Sequence, residues 1–118
     1  GGDVARVAGQ LAQVQQAEAN IGESAAADRI RVAVSQDYHH YAQALERIRV
    51  LGTAVDQARE NDRIMELKYK NQLSTTTDRI DAQTMLYQSL VNLEVAKADA
   101  ADAYYHLLRS TGTLNQTL

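Results

Sequence analysis

The absence of proline limits most strongly what this chain can fold into. None occurs in 118 residues, and proline is the residue that most reliably ends a helix. Cysteine, phenylalanine and tryptophan are also absent, whereas alanine is abundant. Small side chains fill a narrow seam between helices better than a thick globular core. The sequence therefore predicts an all-α protein, and its length allows one domain.

Apolar residues recur at steps of three and four through residue 67, with one step missing at Glu18 and with phase slips beyond Ser24, and this is the pattern of a coiled coil. Gly22 and Gly52 are the only candidate breaks, and a lone glycine costs a helix about 1 kcal/mol relative to alanine. One continuous helix over about residues 3–70 would be roughly 100 Å long at 1.5 Å per residue. The apolar positions are Val4, Val7, Leu11, Val14, Ile21, Ile30, Val34, Tyr38, Tyr41, Leu45, Ile48, Val55, Ala58, Ile64 and Leu67.

The only cluster of consecutive poor helix formers lies at about residues 71–77, which predicts a turn. Within it, Thr75 and Asp78 have the spacing of a capping box, and Thr77 is another possible N-cap. A shorter return helix is predicted over about residues 78–111, with Gly112 as its stop and a frayed tail beyond. The apolar seam predicted for this helix comprises Leu86, Leu90, Leu93, Ala100, Tyr104 and Leu107.

These elements predict one long antiparallel coiled-coil hairpin over residues 1–118, with half of its long arm lacking a partner. Because an exposed apolar stripe of that length marks an interface, the isolated chain is expected to associate with itself. It is also expected to be a piece of a longer protein. A self-contained three-helix bundle of spectrin-like type, folding back at residues 22–24 or at Gly52, is the alternative.

Several function classes are disfavoured by the composition. Lys and Arg number 12 against 15 Asp and Glu, so the chain lacks the basic excess that nucleic-acid binding needs. No window approaches the run of about 20 apolar residues that spans a bilayer, and the N-terminus carries no export signal. Coiled-coil helices offer no pocket for a catalytic triad, and no phosphate-binding loop is present, so neither catalysis nor a cofactor is predicted.

A metal site is not predicted either. His39 and His40 are adjacent and therefore point to different helix faces. No carboxylate follows either of them, or His106, at the fourth residue, which is the spacing that places two ligands on one face.

The segment over residues 69–83 resembles the turn of the TolC family of outer-membrane efflux proteins. The family pattern there is Tyr, two variable residues, Gly, five variable residues and then Asp-x-Leu-Asp-Ala. The chain has Gln72 where the family usually has Gly, which adopts positive φ without strain. The matching positions are Tyr69, Asp78, Asp81 and Ala82, with Ile80 in place of Leu.

Shorter fragments extend the resemblance over nearly the whole chain. Gly1 and Gly2 resemble the pair that follows the family's last outer-membrane strand, although a scar from an expression tag explains them equally well. Residues 86–93 and 111–115 resemble parts of the C-terminal repeat. The resemblance implies the periplasmic portion of a bacterial outer-membrane protein, in which a long helix descends, turns and returns as a shorter one.

In that family the hairpin forms part of a tunnel for efflux or type I secretion. The resemblance therefore implies a homotrimer that works with a periplasmic adaptor protein and an inner-membrane transporter. The turn would form the entrance and dock the adaptor. The hairpin of the adaptor itself has similar seams but would not explain the Asp-x-x-Asp-Ala after the turn. The docking residues implied at the tip are Asn71, Gln72, Leu73, Ser74 and Thr75.

The resemblance also implies gate residues. Asp78 and Asp81 would form an acidic ring that favours cations, although Asp in a first helical turn is also expected as a cap. Tyr69 would bond to a neighbouring hairpin, or it packs at the helix end. The best-known gate of the family carries Arg at the position of Ser74, so the ion pair of that gate would be absent here or rebuilt with another arginine. The spacing does not decide whether Arg63 or Arg79 would replace it.

Overall fold

The computed structural model describes residues 2–117, which form two helices joined by a short turn. Helix α1 spans Gly2–Lys70 and helix α2 spans Thr76–Thr117. The molecule measures 106 × 19 × 14 Å, and the only contact between elements is that of α1 with α2. The predicted antiparallel hairpin is confirmed. Gly1, part of the Gly-Gly resemblance, lies outside the described residues.

Helix α1 is continuous for 69 residues. It runs through both Gly22 and Gly52, and an added Cβ at either glycine would meet nothing within 4 Å. A local cost of about 1 kcal/mol does not end a helix when good helix formers flank the glycine on both sides. The alternative three-helix bundle, which requires a fold-back at one of these glycines, is therefore wrong.

The return helix is longer than predicted, by two residues at its start and by about six at its end. The turn occupies residues 71–75 rather than 71–77, and α2 continues through Gly112 to Thr117 instead of ending near residue 111. The hydroxyls of Thr111 and Thr113 donate to the carbonyls four residues earlier, at 2.8 Å and 3.0 Å. These side chains thus bond within the helix rather than competing with it.

The interface between the helices is a seam built around alanine. Ala96 and Ala103 are each 1 % exposed, and such small side chains let the two backbones approach closely. The predicted seam residue Tyr104 is therefore displaced to the edge, where it is 44 % exposed. The α2 seam comprises Ala82, Leu86, Ser89, Leu93, Ala96, Ala100, Ala103, Leu107, Ser110 and Leu114.

Four residues of α1 that were predicted in the seam are exposed and lie outside it: Tyr38, Leu45, Ile64 and Leu67. Next to the first two, Asp37 and Ala44 are the partly buried residues instead. The α1 seam comprises Ile30, Val34, Asp37, Tyr41, Ala44, Ile48, Leu51, Val55, Ala58, Asp62 and Met65.

One polar pair crosses the seam. The Ser110 hydroxyl donates a hydrogen bond to the Asp37 carboxylate, and both side chains occupy seam positions that are otherwise mostly apolar. A polar pair in such a place is satisfied in one alignment of the helices and left unsatisfied in others. The pair therefore favours the observed register.

Within residues 2–117, the N-terminal part of α1 has no partner helix. Every residue from 2 to 25 is exposed, and we call this segment the free arm. It is about a third of α1 rather than the predicted half, because α2 is longer than the sequence indicated. The apolar residues of the free arm, called the arm stripe, are Val4, Val7, Leu11, Val14 and Ile21.

The arm stripe lies on a different face from the seam. The heptad pattern of the seam can be extended from Ile30 towards the N-terminus. Each residue of the arm stripe lies two residues before one of these extended seam positions. Two residues turn a heptad helix by about 206°, so the stripe points nearly away from the side on which α2 packs. The seam positions themselves become small or polar here: Arg6, Gly9, Gln13, Gln16, Asn20 and Glu23.

Candidate functional site: the hairpin tip

Helix α1 ends in a Schellman motif. The Leu73 amide donates to the Lys68 carbonyl at 2.7 Å, and the Gln72 amide donates to the Tyr69 carbonyl at 3.0 Å. Gln72 has φ of 61° and is the one non-glycine residue with positive φ in the described chain. This is the position where the resembled family has glycine. A side chain in the left-handed region costs about 1 kcal/mol or more relative to glycine.

Helix α2 begins with a capping box, as the spacing predicts. The Asp78 amide donates to the Thr75 hydroxyl at 3.0 Å, and the Thr75 amide donates to the Asp78 carboxylate at 3.3 Å. Aspartate thus takes the place that Glu or Gln usually fills. Its negative charge also lies at the positive end of the α2 dipole. The carboxylate of Asp78 therefore has a structural role in starting the helix.

Tyr69 joins the two arms at the tip. The guanidinium of Arg79 lies 5.0 Å from the centre of the Tyr69 ring, within the range of a cation–π contact. The same guanidinium lies 3.9 Å from the Glu66 carboxylate, which Lys70 also approaches at 3.2 Å. Arg79 is thus the arginine that reaches the tip. Arg63 instead pairs along α1 with a glutamate three residues earlier at 2.7 Å.

The remaining tip residues divide into two groups. Ser74 and Asn71 hold the turn, since the Ser74 hydroxyl donates to the Met65 carbonyl at 3.3 Å and the Asn71 amide group to the Leu67 carbonyl at 2.9 Å. Leu73, by contrast, is 75 % exposed. The apex therefore presents an apolar side chain to solvent on a hydrogen-bonded turn.

Asp81 is exposed and makes no hydrogen bond or ion pair in residues 2–117. It lies three residues after Asp78 on α2 and so shares part of its helix face. Within residues 2–117, no hydrogen bond joins Asp78 or Asp81 to Tyr69. The structure thus brings Tyr69 and Arg79 together and leaves Asp81 accessible.

A second polar region lies along the hairpin, away from the tip. His40 and Arg47 of α1 line an open groove with Asp99, Asp102 and His106 of α2. Sequence reasoning missed this convergence because it considered carboxylates only after each histidine, whereas Asp102 precedes His106 by four residues. In the part of the chain that the structure describes, no three such side chains are close enough to hold a metal ion.

Comparison of this chain with family models, with curated proteins and with solved structures finds no match. Among residues 2–117, neither helix has a segment long and apolar enough to cross a membrane. The tip therefore has to be interpreted from its own chemistry. It offers an exposed apolar apex, a free carboxylate and an arginine held against a tyrosine, which are groups suited to recognition.

Proposed function

We propose that this chain is the periplasmic helical hairpin of an outer-membrane efflux or secretion channel, whose tip forms the entrance and docks an adaptor protein. The observation that carries the proposal is the geometry of the tip. Gln72 stands where the TolC family has glycine, and it adopts the left-handed conformation that glycine favours. The first aspartate of the Asp-x-x-Asp-Ala pattern caps the start of the return helix.

The unequal arms support the same proposal. The free arm exposes an apolar stripe along its whole length, and such a stripe marks an interface. A homotrimer of the longer protein would supply helices to cover it. In this arrangement the hairpin serves an inner-membrane transporter through the adaptor, and the chain itself catalyses nothing.

Within the proposed entrance, Asp81 is the better candidate for cation selectivity. Asp78 is engaged in the cap, whereas the Asp81 carboxylate is free to face permeating ions. Three symmetry copies would place a ring of carboxylates at a constriction with low-dielectric walls, which strengthens their field. Tyr69 and Arg79 would hold the arms of one hairpin together there, and Leu73 would contact the adaptor.

Single-channel recording of the full-length protein in planar bilayers tests the gate. Asp81→Ala should move the reversal potential in a salt gradient toward zero, because the ring loses negative charge. Asp99→Ala is the matched control, since Asp99 is an exposed aspartate of α2 far from the tip, and it should leave the reversal potential unchanged. An unchanged reversal potential for Asp81→Ala would remove the gate role.

A further inference from the structure

Helix α2 has a second apolar face. On the side away from α1 it exposes Ile80, Tyr87, Val91, Tyr105 and Leu108, which are between 49 % and 65 % accessible. We call this set, with Ala98 and Ala101, the outer stripe. Each member lies two residues before a seam position of α2. Two residues turn a heptad helix so that the outer stripe lies about 154° from the seam around the helix axis. A helix that is apolar on two faces is typical of one with neighbours on both sides.

We propose that a second copy of this chain covers the outer stripe, with the two α2 helices antiparallel about a twofold axis near Val95. The inference does not rest on the proposed function, because it concerns this chain in solution. Isologous pairing of this kind requires that the surface be complementary to itself. The size and the charge of the side chains along α2 both meet that requirement.

Size complementarity follows from the heptad register. When α2 is laid antiparallel on its copy about the residue 95–97 region, Val91 faces Ala101 of the second copy, and Glu94 faces Ala98. Large side chains thus meet small ones, which is how helix pairs interdigitate. Tyr87 faces Tyr105, so the two exposed aromatic rings of the stripe cover each other.

Charge complementarity appears at the stripe's flank. In the same register Asp81 lies opposite Arg109 of the second copy, and this ion pair occurs twice by symmetry. Within residues 2–117 neither side chain makes an ion pair. Near the axis, Val95, which is 55 % exposed, meets its own copy. Lys97 would also approach its copy, but it is already paired with Glu94 at 3.2 Å.

Single-cysteine cross-linking tests the geometry in a chain that has no native cysteine. Val95→Cys, next to the proposed axis, should give a disulfide-linked dimer on mild oxidation. Asn92→Cys is the matched control, because it lies on the same helix and is exposed but faces away from the outer stripe. Equal cross-linking of both variants, or none with Val95→Cys, would overturn the proposal.

Charge reversal tests the register by sedimentation equilibrium. Asp81→Arg and Arg109→Asp should each weaken dimerisation about tenfold, since two exposed ion pairs become like-charge contacts. The double variant should restore most of the affinity, with helicity checked by circular dichroism. Failure of the double variant to recover affinity would exclude this register.

The arm stripe is the alternative surface through which two copies of the chain could pair. Leu11→Asn with Val14→Asn should leave the dimer intact, whereas Val91→Asn should dissociate it. The reverse result would show that the free arms pair instead, and it would overturn the assignment to α2.

Discussion

Helix α1 passes through two environments without a break. Residues 26–70 lie beside α2, whereas residues 2–25 are surrounded by solvent. Both parts keep the same apolar period, but in the free arm the apolar residues stand two positions earlier in the heptad than in the seam. The period and the phase of the apolar pattern therefore carry different information. The period indicates that the segment is a helix, and the phase indicates on which side of the helix a partner packs.

The two parts should also differ in stability. The paired part buries Val55 and the seam alanines Ala82, Ala96, Ala100 and Ala103. The free arm instead relies on its backbone hydrogen bonds and on local pairs such as Gln16 with Asn20 at 3.2 Å. Isolated helices owe little stability to propensity alone. We therefore expect the free arm to open at lower free energy than the hairpin.

The largest expected effect comes from enlarging one alanine in each environment. Ala103→Leu should destabilise the hairpin by about 1–3 kcal/mol, because the larger side chain forces the closely packed helices apart. Ala12→Leu in the free arm, where the side chain is exposed, should change the free energy of unfolding by less than about 0.5 kcal/mol. Urea unfolding followed by circular dichroism measures both. Equal losses would mean that the arm is packed against a partner in solution.

The same contrast shows how far the sequence could be interpreted. The turn was predictable because residues 71–77 form a cluster of poor helix formers, and the cap formed by Thr75 and Asp78 was predictable because its geometry is local. The end of α2 was not predictable, because Gly112 in a helix resembles a stop unless the residues beyond it are known to continue the seam. Leu114 is one of these, and it is half-buried against α1.

The seam residues were harder to predict than the period. Tyr104 and Ala103 are adjacent, and hydrophobicity favours the tyrosine, but close approach of two backbones favours the alanine. At the tip, the Tyr69–Arg79 contact joins residues from two helices and could not be decided by spacing. The gate roles of Asp78 and Asp81 and the docking role of the tip remain predictions.

A smaller effect should come from replacing one glycine in each environment. Gly52→Ala should raise the free energy of unfolding by about 0.5–1 kcal/mol, because alanine is the better helix former and nothing lies within 4 Å of the added Cβ. Gly22→Ala should leave the urea midpoint unchanged and instead slow amide hydrogen exchange in the free arm, if the arm opens separately. If Gly22→Ala raised the urea midpoint as much as Gly52→Ala, the free arm and the paired part would unfold as one cooperative unit.

The smallest expected effect is that of low pH on stability. Low pH should weaken the ion pairs along the paired part of α1 but not the uncharged hydrogen bond of the free arm. Arg49 donates to the Glu46 carboxylate at 2.6 Å, and this hydrogen bond lowers the pKa of Glu46 below its usual value. A carboxyl with a lowered pKa in the folded state stabilises the fold above its unfolded pKa, and the contribution disappears as pH falls through the folded pKa. Glu46→Gln should therefore lower the urea midpoint slightly at pH 7, and the two midpoints should converge as the pH falls through the lowered pKa of Glu46 and the wild-type carboxyl becomes protonated. Gln16→Ala, which removes the neutral pair of the free arm, should show no such dependence on pH. A gap between Glu46→Gln and the wild type that persists in acid would mean that the substitution acts through helix propensity and not through the ion pair.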